Sequence, residues 1–277
     1  MKKNNYIFKD KVLILGNKGT LGKNLFQKFK KISKFSTFGL AKSKSDYNLN
    51  LENFKKLENL IKKEKFDIIV NCAAYTDLIY CENNYQKILK INTFLPIFLS
   101  SLSLKSNFKF IHISTDHIYV SKKNIKNKES DKIGWHNKYS KSKYLAEKKL
   151  KNKSNTLIIR TNFIDNKKNK KSFLFWLNIL IKKEIEIPLF TDMYTSTIDV
   201  NTLCDILIKL IKKKINGTYN VGSKNCLSKK EFALKYFKKL NINPSYKDMF
   251  TNDNYRLKVK RGRYLGLNIN KIEKKLK

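Results

Sequence analysis

Two side chains suited to proton transfer, Tyr139 and Lys143, stand four residues apart in the sequence. If this segment is helical, positions i and i+4 share a face, and the lysine ammonium lies beside the tyrosine phenol. A nearby cation favours phenolate, so we expect Lys143 to lower the pKa of Tyr139 from about 10 towards neutrality. Tyr139 would then serve as a general acid or base. The alternative is a solvated helix face, because this spacing arises easily in a lysine-rich chain.

A glycine-rich turn near the start of the chain is a second candidate site. A short aliphatic run ends at Leu15, glycines follow with the spacing G-x-x-G-x-x-G, and an amphipathic stretch comes next. This order predicts a strand, a tight turn and a helix whose N-terminus binds a pyrophosphate. The alternative is a structural turn that binds nothing. The predicted cofactor-binding residues in this segment are Gly16, Gly19, Thr20, Leu21 and Gly22.

Apolar runs alternate with helical patterns over the first 165 residues. The predicted strands are 11–15, 34–40, 66–70, 108–113 and 156–159, and the predicted helices are 51–63, 85–104 and 138–151. This alternation predicts an α/β fold with a doubly wound parallel sheet of the Rossmann type. The pattern loosens after residue 165. We therefore expect a nucleotide-binding domain at 9–165 and a smaller C-terminal substrate-binding lobe at 166–277, with some segments returning to the sheet.

Composition narrows the class of protein. No apolar stretch reaches the ~18 residues of a membrane span, and the four cysteines and three histidines show no metal-ligand spacing. We therefore expect a cytoplasmic protein with reduced thiols, no metal and no membrane partner. The formal net charge of +38 would attract polyanions, but only four of the 60 basic residues are arginine and the lysines are dispersed. This distribution argues against a specific nucleic-acid site.

Several motifs together resemble one family. Besides the glycine turn and the tyrosine–lysine pair, the chain carries Ser114-Thr115-Asp116 after the fourth predicted strand. Further matching segments are Asn71 to Thr76, Cys81-Glu82, Ile91-Asn92, Arg160-Thr161, Leu267-Asn268 and Lys271. In order and spacing these motifs resemble the extended short-chain dehydrogenase/reductases, and within them the dTDP-4-dehydrorhamnose reductase group.

The resemblance implies a role for each matching residue. Tyr139 would donate a proton to a substrate carbonyl oxygen, Thr115 would hydrogen-bond that oxygen, and Lys143 would also hold the nicotinamide ribose. Asp116 would lie near the sugar. Asn92 would support the site or, alternatively, make only a packing hydrogen bond. The residues expected to line the cofactor are Ala73, Ala74 and Tyr75.

The segment after the second predicted strand bears on the choice of cofactor. NAD-binding sites place a carboxylate there for the ribose 2′-hydroxyl. Here Lys42 and Lys44 precede the first acid, Asp46, so NADP(H) is favoured over NAD(H). Asn48 and Leu49 fall where the resembled family places an Asp beside the adenine.

Three segments depart from the family pattern at positions that bear on substrate recognition. Phe163 stands where a sugar-binding tryptophan is expected, and it can stack on a sugar or base face. The threonine in Tyr194-Thr195-Ser196-Thr197 lacks the usual preceding proline, and Arg261, a predicted substrate ligand, lacks the usual following proline. These changes leave the sugar open between rhamnose and a related 6-deoxy or amino sugar.

The resemblance therefore implies an NADPH-dependent reductase of a nucleotide-linked 4-keto sugar in surface glycan precursor synthesis. One alternative is a sugar-nucleotide 4-epimerase, which uses the same tyrosine and lysine but retains its NAD. Another is a non-catalytic regulatory subunit that binds NADP. A homodimer is left open.

Overall fold

The structure is a computed structural model that describes residues 9–121, 126–164, 172–251 and 258–277. Within these residues the largest sheet has seven strands, and every neighbouring pair is parallel. From one edge to the other its strands are β12 (Gly217–Val221), β7 (Thr156–Thr161), β5 (Lys109–Ile113), β4 (Ile68–Asn71), β1 (Asp10–Leu15), β2 (Phe35–Ala41) and β3 (Tyr47–Asn48).

Helices cover both faces of this sheet, and others build a lobe beside it. Their bounds are α1 (Thr20–Lys30), α2 (Phe54–Glu64), α3 (Leu78–Asn83), α4 (Tyr85–Leu89), α5 (Leu95–Lys105), α6 (Lys138–Leu150), α7 (Phe173–Lys182), α8 (Val200–Lys212), α9 (Lys229–Leu240) and α10 (Asn270–Leu276). A π-helical turn, Lys90–Phe94, joins α4 to α5, and a 3₁₀ turn, Asp116–Ile118, follows β5.

The central strand β1 shows why the sheet is covered on both faces. Val12 and Ile14 point into one core with α1 and α8, whereas Leu13 and Leu15 point into a second core with α2 and α5. All four side chains are fully buried. A strand that is apolar on both faces is typical of a parallel sheet between two helical layers. The predicted doubly wound α/β fold is confirmed.

The C-terminal part contributes to both the sheet and the lobe. Strand β12 forms the edge of the large sheet, and α8 packs against α1, although both follow residue 165. A separate apolar cluster in the lobe joins α7, the strand Ile187–Phe190 and α9 through Leu177, Leu189 and Phe237. The shorter strands are β6 (Lys126–Asn127), β8 (Phe163–Ile164), β9 (Ile187–Phe190), β10 (Tyr194–Thr195), β11 (Ile198–Asp199), β13 (Leu227–Ser228), β14 (Tyr246–Met249) and β15 (Tyr264–Leu267). The domain division at residue 165 stays a prediction.

The structure corrects the prediction that no apolar stretch reaches the length of a membrane span. The helix from Tyr85 to Lys105 has 21 residues and a mean hydropathy of 1.2 in its most apolar window, so it is long and apolar enough to cross a membrane. The apolar length was underestimated from the sequence because α4, the π turn and α5 form one continuous helix. However, 56% of that window is buried inside the protein, and Leu95, Leu99 and Leu102 belong to a core beneath the sheet. This is the position of a core helix.

Candidate active site

A cleft of about 590 Å³ opens at the carboxyl ends of the central strands. This edge is where open α/β sheets bind their ligands, because the loops there diverge. The cleft brings together residues from both halves of the chain. The predicted site residues that line it are Gly19, Thr20, Leu21, Ala73, Ala74, Thr115, Asp116, Tyr139, Lys143, Phe163 and Arg261.

The glycine turn is shaped for close backbone approach. Gly16 has φ +75°, and a Cβ there would lie 2.9 Å from the backbone of Ala73. A Cβ on Gly22 would collide with the carbonyl oxygen of Gly16. Both glycines therefore shape the turn without lining the cleft. Gly19, by contrast, lines the cleft, and a Cβ there would meet nothing closer than the Gly16 oxygen at 3.3 Å.

The N-terminus of α1 fits a dinucleotide diphosphate. Its N-cap is Gly19, which has no side chain to cap the helix, and the first turn contains no acidic residue. A helix N-terminus carries a partial positive charge and backbone N–H groups without helical partners. Because Gly19, Thr20 and Leu21 face the cleft, this end of α1 can hold an anionic phosphate group.

Tyr139 lies in the first turn of α6, whose start is fixed by several contacts. Asn137 and Ser140 form a capping box, and the Lys138 backbone N–H donates to Glu82 Oε1 at 2.8 Å. The ring of His117 lies edge-on to that of Tyr139, with 6.0 Å between centroids. These contacts hold the phenol at the cleft, where its side chain also hydrogen-bonds Thr115.

The electrostatic prediction for Tyr139 is wrong in this structure. Burial raises the pKa of Tyr139 above its ordinary value, the Asp116 charge adds to this rise, and only the Thr115 hydrogen bond opposes it. Lys143 Nζ instead donates to the Ile113 carbonyl oxygen at 2.6 Å and lies 3.2 Å from His112 Nε2. Burial also lowers the pKa of Lys143 to about 7. Tyr139 therefore stays protonated at neutral pH, which is the form a proton donor requires.

Asp116 is buried beside Tyr139. Its Oδ2 accepts a 2.8 Å hydrogen bond from Asn162 Nδ2, and its Oδ1 accepts one from Thr115 Oγ1 at 3.2 Å. Burial nevertheless dominates and raises the pKa of Asp116 to about 6. Phe163, from β8, lies on the same wall of the cleft. Asn162 was not singled out from the sequence, although it stands directly between Thr161 and Phe163.

Asn92 does more than make one packing contact. It is fully buried in the π turn, its Oδ1 accepts from the Tyr75 backbone N–H at 2.9 Å, and its Nδ2 donates to the Tyr75 carbonyl at 2.9 Å. The same Nδ2 lies 3.1 Å from Ser142 Oγ on α6. Asn92 thus ties the loop after β4 to the helix that carries Tyr139. Tyr75 itself stacks on Tyr80 and does not line the cleft.

Replacing Asn92 with leucine tests this tie. The two side chains have similar volumes, but leucine removes the Asn92 partner of the Tyr75 N–H and leaves the Tyr75 carbonyl with only the weak Cys81 thiol donor at 3.6 Å, and each lost hydrogen bond costs about 1–3 kcal/mol. We expect urea unfolding to show a loss of about 2–4 kcal/mol in stability. The control is Asn84→Leu, which removes a single side-chain bond to Tyr80. Equal stabilities for the two variants would contradict the role given to Asn92.

A buried ion pair anchors the other side of α6. Glu147 Oε1 accepts from Arg160 Nε at 2.8 Å and also from Arg160 Nη2, while Glu147 Oε2 accepts from Ser114 Oγ at 2.8 Å. Arg160 Nη1 donates to Tyr119 Oη at 2.7 Å. Charge on Glu147 also opposes the lowering of the Lys143 pKa. The network joins α6 to β7 and to Ser114, which directly follows β5 and lines the cleft.

The loop after β2 lies beside the glycine turn but outside the cleft. Lys42 and Lys44 are both exposed, and Ser45 Oγ donates to Asn17 Oδ1, within the glycine turn, at 3.0 Å. The carboxylate of Asp46 accepts from the Gly39 backbone N–H at 2.8 Å. Asp46, the first acid after β2, is therefore already hydrogen-bonded to the backbone of that strand.

Asn48 and Leu49 form the end of this region. Asn48 is exposed and accepts from the Ser45 N–H at 3.1 Å, and Leu49 packs against the core below. Neither residue lines the cleft. Their predicted contact with the adenine stays a prediction.

A parallel sheet with a glycine turn, and with a tyrosine–lysine pair at the same edge, defines an NAD(P)-dependent oxidoreductase of the extended short-chain dehydrogenase/reductase class. Comparison with known families matches residues 10–277 to the family described as the RmlD substrate binding domain, and the chain belongs to this family. The predicted resemblance is confirmed.

Individual relatives are distant in sequence. A probable low-salt glycan biosynthesis reductase of Haloferax volcanii is 24% identical over 68% of this chain and 65% of its own length, so the match spans just under two thirds of that protein. A spore coat polysaccharide biosynthesis protein of Bacillus subtilis is 26% identical over 95% of this chain and 90% of its own. A dTDP-4-dehydrorhamnose reductase of Bacillus anthracis, solved in complex with NADP, has a TM-score of 0.86 at 25% identity, covering 97% of this chain and 93% of that one.

Proposed function

We propose that this protein reduces the keto group of a nucleotide-linked 4-keto sugar with NADPH. The observation that carries the proposal is the single cleft that joins the N-terminus of α1 to Tyr139, Thr115 and Lys143. Support also comes from the relatives, which include a probable glycan biosynthesis reductase and dTDP-4-dehydrorhamnose reductases. A precursor for a surface glycan is the product class these relatives suggest.

Different residues of the chain would carry out different parts of the reduction. Bound NADPH supplies a hydride to the carbonyl carbon of the sugar. Tyr139 Oη gives its proton to the carbonyl oxygen, so a C–H and an O–H bond form while the C=O double bond becomes a single bond. The Thr115 hydroxyl, which donates to Asp116 here, would turn to the carbonyl oxygen and stabilise the charge that develops on it. The phenolate left behind recovers a proton from solvent or through a neighbouring group.

Lys143 acts at the floor of the cleft. Its ammonium donates to the Ile113 carbonyl and lies beside His112, and it lines the same cleft as Tyr139. From this position it can donate to a ribose hydroxyl, as the family resemblance implies. The arrangement fits a reductase, because burial keeps the Tyr139 proton in place until the carbonyl oxygen takes it.

The charge of the loop after β2 favours NADPH over NADH. Lys42 and Lys44 are exposed cations, and Asp46 is bound to the Gly39 backbone. Lys44 also has a left-handed backbone, φ +53°, a conformation often found in loops that bind ligands. This combination suits a 2′-phosphate better than a 2′-hydroxyl. It also argues against the epimerase alternative, which would retain NAD.

Replacing both Lys42 and Lys44 with glutamate tests this choice. Charge-assisted hydrogen bonds contribute about 1.5–3 kcal/mol, so we expect the KM for NADPH to rise about tenfold or more while the KM for NADH changes little. The control is Lys55→Glu with Lys56→Glu, which makes the same change of charge on exposed positions of α2. An equal loss for both cofactors would reject a 2′-phosphate site at this loop.

The function itself is tested by following NADPH oxidation against a panel of nucleotide-linked 4-keto sugars, with the product stereocentre determined. We expect stoichiometric conversion to one alcohol. Isomerisation of the sugar without net consumption of NADPH would indicate an epimerase instead. A protein that binds NADPH but converts none of the sugars would indicate the regulatory alternative.

A further inference from the structure

Lys229 is a cation held inside the substrate end of the cleft. It is the first residue of α9, its backbone N–H donates to the Met193 carbonyl at 3.0 Å, and the capping box of Ser228 and Glu231 fixes the start of the helix. Its Nζ lies 4.8 Å from the centroid of the Phe173 ring, which faces the same cleft. This contact holds the ammonium against the wall, where a ligand can meet it.

The ammonium of Lys229 lacks a direct counterion. Within residues 9–121, 126–164, 172–251 and 258–277, its Nζ forms no hydrogen bond and no ion pair. Burial lowers the pKa of Lys229 to about 8, the charge of Asp116 opposes this effect, and the charge of Arg261 adds to it. Lys229 and Arg261 both line the cleft, and their charges repel each other. Such a pair is stabilised when an anion of more than one charge binds between them.

These two cations line the same cleft as Tyr139, so one nucleotide sugar could contact all three side chains. The charge of Asp116 acts on Tyr139 and also on Lys229, so Asp116 lies near both the proton donor and the cationic wall. In a nucleotide-linked 4-keto sugar, the diphosphate is attached to C1, across the ring from the C4 carbonyl. A sugar whose carbonyl meets Tyr139 would extend its diphosphate past Asp116 towards this wall.

We propose that Lys229, together with Arg261, binds the diphosphate of the substrate and that Lys229 is a main determinant of nucleotide-sugar affinity. This inference rests on the function proposed above and assigns one part of the cleft to one part of the substrate. A diphosphate suits the site better than a single carboxylate, because two cations face the same space.

The test measures binding, not turnover. The protein is first saturated with NADP⁺, so that the glycine turn is filled, and is then titrated by calorimetry with dTDP, UDP and GDP and with the matching nucleosides. We expect Lys229→Gln to weaken binding of the best nucleoside diphosphate about tenfold or more, since a charge-assisted hydrogen bond to the diphosphate is lost. Binding of the matching nucleoside should not change.

The neighbouring residue provides a matched control. Lys230→Gln removes the same charge one position later, but Lys230 Nζ pairs with Asp248 at 2.6 Å and does not line the cleft. We expect it to bind nucleoside diphosphates as the wild type does. Equal affinities of the Lys229 and Lys230 variants, or no nucleoside diphosphate binding by the wild type, would overturn the inference. Because the keto-sugar panel tests reduction separately, an active enzyme with an unaffected Lys229→Gln titration would reject the diphosphate site alone.

Discussion

Tyr139→Phe is expected to lower kcat by about 10²–10⁴-fold, the contribution usual for a general acid, while NADPH binding stays unchanged. Phenylalanine keeps the ring that packs against His117 and removes only the hydroxyl. The loss should therefore fall on kcat and on kcat/KM in equal measure. Steady-state kinetics with the preferred keto sugar, together with a fluorescence titration of NADPH, would measure both quantities.

The matched control for this variant is Tyr144→Phe. Tyr144 lies on the same helix, and its ring packs against Trp135 at 5.2 Å between centroids. It loses the same hydroxyl but does not line the cleft. We expect its turnover to equal that of the wild type. Turnover close to wild type in Tyr139→Phe would remove Tyr139 as the proton donor.

Glu147→Gln is expected to have the largest effect on folding, with a loss of about 3–5 kcal/mol in the free energy of unfolding. The substitution keeps the shape of the side chain but leaves the buried Arg160 guanidinium without its carboxylate partner. Tyr119 Oη still accepts from Arg160, but a neutral hydroxyl does not compensate the charge. Denaturant unfolding monitored by circular dichroism would measure the loss.

An exposed ion pair serves as the comparison for this prediction. Glu58 pairs with Lys62 at 2.6 Å on the surface of α2, and exposed pairs contribute little because water screens them. We expect Glu58→Gln to leave the unfolding midpoint unchanged. If Glu147→Gln unfolds at the same denaturant concentration as Glu58→Gln, the network beneath α6 is not what anchors that helix.

Most of the large sheet was predictable from sequence because its signals are local. The run predicted as a strand at 11–15 lies within β1, and the predicted helix at 138–151 corresponds to α6. The same holds for the i, i+4 relation between Tyr139 and Lys143, since it requires only that the segment be helical. The short strands of the lobe were not predicted, because elements of two to four residues carry little periodicity.

The electrostatics of the site depended on tertiary packing and could not be read from spacing. The pKa of Tyr139 rises because of what surrounds the phenol, and Lys143 points to the Ile113 carbonyl. Lys229 gave no signal at all, because one lysine in a lysine-rich chain is not distinctive. Only the placement of α9 beside Phe173 brings it to the cleft.

The π turn at Lys90–Phe94 fixes the length of the helix that contains it. A π turn accommodates one residue more than an α-helical turn, and it places Asn92 against Tyr75 while α5 stays packed beneath the sheet. Deleting one residue here would restore a regular α-helix, and the two flanking helices would keep nearly the same faces because the π turn already absorbs the extra residue. The leucines of α5 would stay in their core, but the widened turn that places the Asn92 amide against Tyr75 would be lost. The contact between Asn92 and the loop after β4 therefore depends on the number of residues in this helix.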